Sequence, residues 1–119
     1  MLVLNRFVVP PETQDGFVER AHAALAALAE RPGYLSGRLT RALDDPAHWT
    51  MVTEWESVGA YRRALGAFDV KVHSVPLLSE SLDEPSAFET LASAAPGGPV
   101  EVAASDRAVF GDGEAGPWR

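Results

Sequence analysis

One amide stands out in the apolar run at the start of the chain, MLVLNRFVV. If this run is a pleated strand, Asn5 shares one face with Val3, Phe7 and Val9. Asparagine is disfavoured in strands, and a buried amide needs hydrogen-bond partners. The amide either donates to a bound ligand oxygen, such as dioxygen or a substrate carbonyl, or is satisfied by neighbouring backbone. Asn5 is therefore the candidate catalytic residue.

A single histidine lies among valines in the stretch DVKVHSV. Neutral imidazole is a good iron ligand, so one interpretation makes His73 an axial ligand to heme. The alternative is a partly buried histidine on a short helix, with Val70 and Leu77 on the same face. The other histidines, His22 and His48, complete no metal-ligand spacing, and no metal site is predicted.

Aromatic residues suggest a pocket for a flat ligand. Trp49 and Trp55 face the same way in a predicted strand and could form a stacking wall, or they could pack in a core or a dimer interface. Tyr61 could donate a hydrogen bond inside a pocket. The predicted pocket residues are Phe7, Trp49, Trp55 and Tyr61.

Composition excludes several other chemistries. The chain has 119 residues, no cysteine and a net charge of −7, which speaks against disulfides, thiolate sites, nucleic acid and anionic membranes. No stretch approaches the roughly 20 apolar residues of a membrane span, and the N-terminal run lacks a cleavage site, so a cytoplasmic location is expected. No phosphate loop or catalytic triad motif is seen. The carboxylate pairs Asp44–Asp45 and Asp83–Glu84 fall in turns, where we expect them to be solvated.

The apolar pattern predicts the order β-α-β-β-α-β. Met1–Val9 is rich in β-branched residues, which predicts a strand, and apolar residues at helical spacing from Phe17 to Leu28 predict a helix. The later predicted elements are the strands Tyr34–Leu43 and His48–Glu56, a helix with Ser57 as N-cap and Val58, Tyr61, Leu65 and Phe68 buried, and a last strand within Pro85–Ser93. This order predicts an α+β, ferredoxin-like fold with an antiparallel sheet.

Two stretches, RPGYLSGRL and VTEWESVGAYR, together with this order, resemble the antibiotic biosynthesis monooxygenase (ABM) family. The resemblance covers residues 1–92, which predicts one domain there and a C-terminal arm or flexible tail over residues 93–119. Members of that family are typically homodimers whose sheets pack face to face in a dimeric α/β barrel. A homodimer would explain why both faces of the first strand are largely apolar.

One branch of that family, the IsdG-type heme-degrading monooxygenases, is also similar to this chain. Its members carry an asparagine on the first strand, a tryptophan on the second helix and a heme-ligating histidine. With the comparison anchored on the Trp-Glu-Ser step, these positions fall on Asn5, Ala64 and His73. Two of the three residues match, and alanine replaces the tryptophan that presses on the heme.

The resemblance implies a small monooxygenase that acts on an aromatic or polyketide-like substrate without a tightly bound cofactor. Its pocket would lie between the sheet and the two helices. The alternatives are a heme-binding and heme-degrading enzyme with His73 as ligand, and a dimer that binds a small hydrophobic ligand or assists another protein without catalysis. An open apolar pocket with Asn5 in its wall would favour an enzyme.

Overall fold

The computed structural model describes residues 1–104 and consists of an antiparallel sheet with helices on one face. The main elements are β1 (Leu2–Val8), α1 (Gln14–Ala29), β2 (Tyr34–Arg41), β3 (His48–Trp55), α2 (Val58–Leu65), α3 (Phe68–His73), α4 (Val75–Leu78) and β4 (Ala87–Phe88). A short hairpin of β5 (Ala92–Ser93) and β6 (Glu101–Val102) follows. The predicted α+β class and ferredoxin-like order are confirmed.

The sheet has the strand order β2-β3-β1-β4, so β1 lies inside it. On one side of β1 the antiparallel register with β3 places Asn5 opposite Met51. On its other side the chain returning from α4 completes the edge. The Leu82 N–H donates to the Arg6 carbonyl, and the Leu4 N–H donates to the Ser86 carbonyl, both at 2.7 Å. Residues 79–86, which we call the wall segment, are thereby fixed beside β1.

The two faces of the sheet differ in what covers them. The inner face carries Val3, Asn5 and Phe7 of β1 with Trp49, Met51, Thr53 and Trp55 of β3, and all seven residues are buried. Alanines on α1 let that helix approach the inner face closely, because Ala21 and Ala24 are fully buried there. The outer face carries Leu2, Leu4, Arg6 and Val8 of β1, of which Arg6 and Val8 are exposed.

The turn after α1 docks against the start of α2. Gly33 has a φ of 88°, a left-handed conformation that glycine adopts without strain. A Cβ atom at this position would collide with Ala60. The Glu56 N–H donates to the Gly33 carbonyl at 2.8 Å, and the Ser57 hydroxyl accepts from the Ala60 N–H at 3.0 Å. The predicted N-cap at Ser57 is confirmed.

The second helix is shorter than the sequence predicts. It ends at Leu65, and Gly66 and Ala67 separate it from α3. The break changes the helical phase. Phe68, which the spacing of a continuous helix predicts to be buried, is 78% exposed, whereas Val70 is fully buried. The prediction of a buried Phe68 was wrong for this reason.

The end of the described chain lies outside the main sheet. The predicted last strand is confined to β4, while β5 and β6 form a separate pair in which all four residues are exposed. The predicted arm or tail begins in this hairpin, and its residues 105–119 lie outside the described part. Among residues 1–104 no helix is long and apolar enough to cross a membrane.

Candidate functional site

A cavity of about 420 Å³ lies between the inner face of the sheet and the short helices. Asn5 and Tyr61 contribute its buried polar side chains. Its apolar lining consists of Leu65, Val75, Leu78 and Leu82. The wall segment completes it with Ser79, Ser81, Asp83, Glu84 and Ser86. Cavities that hold small molecules typically measure about 300 to 1,000 Å³, so this one can take a compact aromatic ligand.

The buried side chain of Asn5 has no hydrogen-bond partner among residues 1–104. Only 7% of its surface is exposed, and its amide makes no hydrogen bond to any other residue of the described chain. The other two buried polar side chains are satisfied: Thr53 Oγ1 accepts from Trp55 Nε1 at 2.8 Å, and Ser74 Oγ donates to the Ala24 carbonyl at 2.8 Å. An unpaired buried amide costs free energy. The Asn5 amide is therefore available to a ligand in the cavity.

Tyr61 brings a second polar group to the same cavity. It is 4% exposed, and its hydroxyl makes no hydrogen bond within residues 1–104. Burial raises the pKa of Tyr61 to about 12, because the phenolate form loses its hydration. At neutral pH the hydroxyl therefore stays protonated, and it can donate a hydrogen bond to a ligand but cannot act as a base.

Trp55 lies behind Tyr61 and does not line the cavity. Its ring is fully buried, with its centroid 5.4 Å from that of Tyr61 and 5.4 Å from that of Tyr34. Its indole N–H is held by Thr53. Trp55 therefore orients Tyr61 through ring contact and contributes no surface to a ligand.

The remaining predicted residues lie away from this cavity. Phe7 and Trp49 pack on Phe17 of α1, with ring centroids 5.1 and 5.6 Å from the Phe17 centroid. His73, the last residue of α3, is exposed and is not part of the lining. Of the predicted site residues, the cavity brings together Asn5 and Tyr61.

The two carboxylates of the wall segment were missed by the sequence analysis, which placed them in a solvated turn. Asp83 and Glu84 both line the cavity. Glu84 Oε1 lies 3.3 Å from Arg6 Nη1, while Asp83 is exposed and makes no ion pair within the described chain. The predicted strand order could have indicated their position. A chain that returns to the edge of β1 has to pass Asn5.

The family comparison agrees with the geometry. The model of the family "Antibiotic biosynthesis monooxygenase" matches residues 1–72, which is more than half of the chain. This chain belongs to the antibiotic biosynthesis monooxygenase family. No curated protein matches its sequence.

Solved structures with a similar fold include antibiotic biosynthesis monooxygenases. SnoaB from Streptomyces nogalater, a cofactor-independent oxygenase, is 27% identical with a TM-score of 0.60, and the match covers 76% of this chain and 94% of that chain. A conserved protein from Methanosarcina mazei Go1 is 24% identical with a TM-score of 0.60, covering 72% and 84%. A further antibiotic biosynthesis monooxygenase is 20% identical with a TM-score of 0.58, covering 73% and 92%. The last two matches show the fold alone.

Heme is the cofactor of one ABM branch, and the cavity lining does not suit it. The lining contains no histidine to ligate iron, and its ionisable acids, Asp83 and Glu84, would face the two propionates of heme with the same charge. Ala64, at the position of that branch's tryptophan, is buried. Within residues 1–104 no group of three metal-ligating side chains is found either.

Proposed function

We propose that this ABM protein is a small monooxygenase that acts on an aromatic or polyketide-like substrate without a tightly bound cofactor. The observation that carries the proposal is the unpartnered Asn5 amide, which faces a ligand-sized cavity together with the protonated Tyr61 hydroxyl. SnoaB is a cofactor-independent oxygenase, and its similarity to this chain supports the absence of a cofactor.

In the proposed reaction a phenol or enol of the substrate reacts as its anion with dioxygen. One oxygen atom enters a ring carbon and the other leaves as water, which carries away one hydrogen from that carbon and one from the phenol oxygen. The product is a quinone, and the substrate supplies all four electrons that reduce dioxygen, two for the new carbonyl oxygen and two for the water. The protein contributes two hydrogen-bond donors, Asn5 and Tyr61, which stabilise the substrate anion at the buried side of the cavity.

The alternatives receive less support from the same cavity. A side-chain-filled space between sheet and helices would favour a protein without catalysis, but the cavity is open and has Asn5 in its wall. The heme alternative needs His73 as ligand, and His73 is exposed and separate from the lining.

Oxygen uptake with fused-ring phenols tests the proposal. We expect anthrone or dithranol to be oxidised to the quinone by the metal-free protein, and Tyr61→Phe to lower kcat on the order of 100-fold, as loss of one oxyanion donor does. Tyr34→Phe is the matched control, because Tyr34 contacts the same Trp55 ring but lies outside the lining. No oxygen uptake from a phenol that binds would favour a ligand-binding protein.

We also propose that two copies pair through the outer faces of their sheets. Leu4 and Val52 are opposite each other on that face, and Val8 beside them is 53% exposed. Val52→Lys is expected to convert a dimer to a monomer in sedimentation velocity, whereas Ala26→Lys on the exposed side of α1 leaves the dimer intact. We further propose that the protein is located in the cytoplasm.

A further inference from the structure

The ionisable groups in the cavity lining are of one sign. Besides Tyr61, they are the carboxylates of Asp83 and Glu84, and no lysine, arginine or histidine lines the space. Arg6 partly compensates Glu84 through the contact at 3.3 Å. Asp83 is exposed, and no cationic side chain within residues 1–104 pairs with it.

The opposite side of the cavity requires a polar ligand group. Asn5 and Tyr61 are each more than nine-tenths buried, and neither side chain has a hydrogen-bond partner in the described chain. Leu65 and Leu78 line the space along with them. A ligand that satisfies this arrangement has a hydroxyl or carbonyl at its buried end and an apolar body. The charge that its exposed end can carry depends on the carboxylates at that side of the cavity.

We infer that the cavity selects its ligand by charge: it admits an aromatic molecule whose exposed end is cationic or uncharged, and it discriminates against one whose exposed end is a carboxylate. Asp83 sets this preference, because it lines the cavity and its carboxylate attracts a cation and repels an anion there. The inference rests on the proposed function in taking this cavity as the substrate site.

Three matched probes test the inference. They share one hydroxynaphthalene ring system and carry an aminomethyl, a hydroxymethyl or a carboxylate group at the same ring position. Their dissociation constants are measured by calorimetry under argon, so that binding is separated from oxidation. At low salt we expect the cationic probe to bind at least about fivefold more tightly than the anionic one, as a partly exposed charge pair allows.

Asp83→Asn should remove most of this preference, with a small remainder from the partly compensated Glu84, while the affinity for the hydroxymethyl probe stays the same. Asp44→Asn is the matched control: it removes the same charge from an exposed turn outside the lining, and the ratio should persist. High salt should weaken the preference in the parent protein.

The outcomes separate the two proposals. Equal affinities for all three probes would overturn the charge preference and leave the proposed oxygenase intact. A preference that survives Asp83→Asn undiminished would overturn the assignment to Asp83. Failure of every probe to bind, with the protein folded by circular dichroism, would overturn both the charge preference and the use of this cavity for aromatic ligands.

Discussion

Replacing Asn5 with leucine is expected to make the unliganded protein more stable and to remove its activity. The two side chains branch in the same way at Cγ, and the larger leucine can extend into the cavity that Asn5 lines. Only 7% of Asn5 is exposed. Asn5 makes no hydrogen bond that the substitution would break. The native residue is therefore unfavourable for folding at this position.

The size of the effect follows from the unsatisfied amide. A buried polar group without a partner costs about 1 to 3 kcal/mol, and the slight remaining exposure of Asn5 favours the lower end of that range. We expect Asn5→Leu to raise the free energy of unfolding by about 1 kcal/mol, which is about 4 °C in Tm for a domain of this size. Oxygen uptake should fall on the order of 100-fold through loss of one donor to the substrate anion.

Urea and thermal unfolding of Asn5→Leu and Thr53→Val form the assay. Thr53 is buried on the same face, but its hydroxyl accepts from Trp55 Nε1. Thr53→Val leaves that indole N–H unpaired and should lower the free energy of unfolding by about 1 to 3 kcal/mol. If Asn5→Leu destabilises the protein as Thr53→Val does, the Asn5 amide has a structural partner and the reasoning on the site is refuted.

Three further predictions concern substitutions at single contacts. Ser57→Ala removes the N-cap of α2 and should lower the free energy of unfolding by about 1 kcal/mol in urea, while Ser57→Asp retains it. Arg20 holds the pKa of Glu80 below its usual range through a hydrogen bond. The Arg20–Glu80 pair therefore stabilises above the unfolded pKa of glutamate and loses its effect as pH falls through the lowered folded pKa. Because both side chains are about half exposed, Glu80→Gln should cost less than about 1 kcal/mol at pH 7 and nothing in acid, and a loss that persists in acid would contradict this. Val70→Ala should cost about 2 kcal/mol, whereas Phe68→Ser should change stability by less than about 0.5 kcal/mol, and equal losses would contradict the observed phase of α3.

The sequence predicts the fold well because local periodicities carry it. Alternation in the first strand places Asn5 on the inner face, and the Ser57 cap marks the start of α2 within one residue. The predicted burial of Phe68 is wrong because Gly66 and Ala67 interrupt the helix, and no proline in the sequence signals that break. A pattern extended across such a break carries the wrong phase.

The site is harder to predict because sharing a face does not mean sharing a cavity. Phe7 and its register partner Trp49 lie on the inner face with Asn5, but one pleat further along, where Phe17 covers them. The cavity is completed by the wall segment, whose placement depends on backbone hydrogen bonds between β1 and residues 76 and 82 positions away in the sequence. Turn-forming residues such as Asp83 do not indicate which distant strand they approach.

The Arg6–Glu84 ion pair crosses the edge of the sheet. Arg6 extends from the outer face, and Glu84 belongs to the cavity lining on the inner side. A second subunit on the outer face would withdraw water from Arg6 and strengthen its attraction for Glu84. More of the Glu84 charge would then be neutralised, and the electric potential felt by a substrate in the cavity would change. In the proposed dimer, assembly and the electrostatics of the pocket would be linked through one arginine.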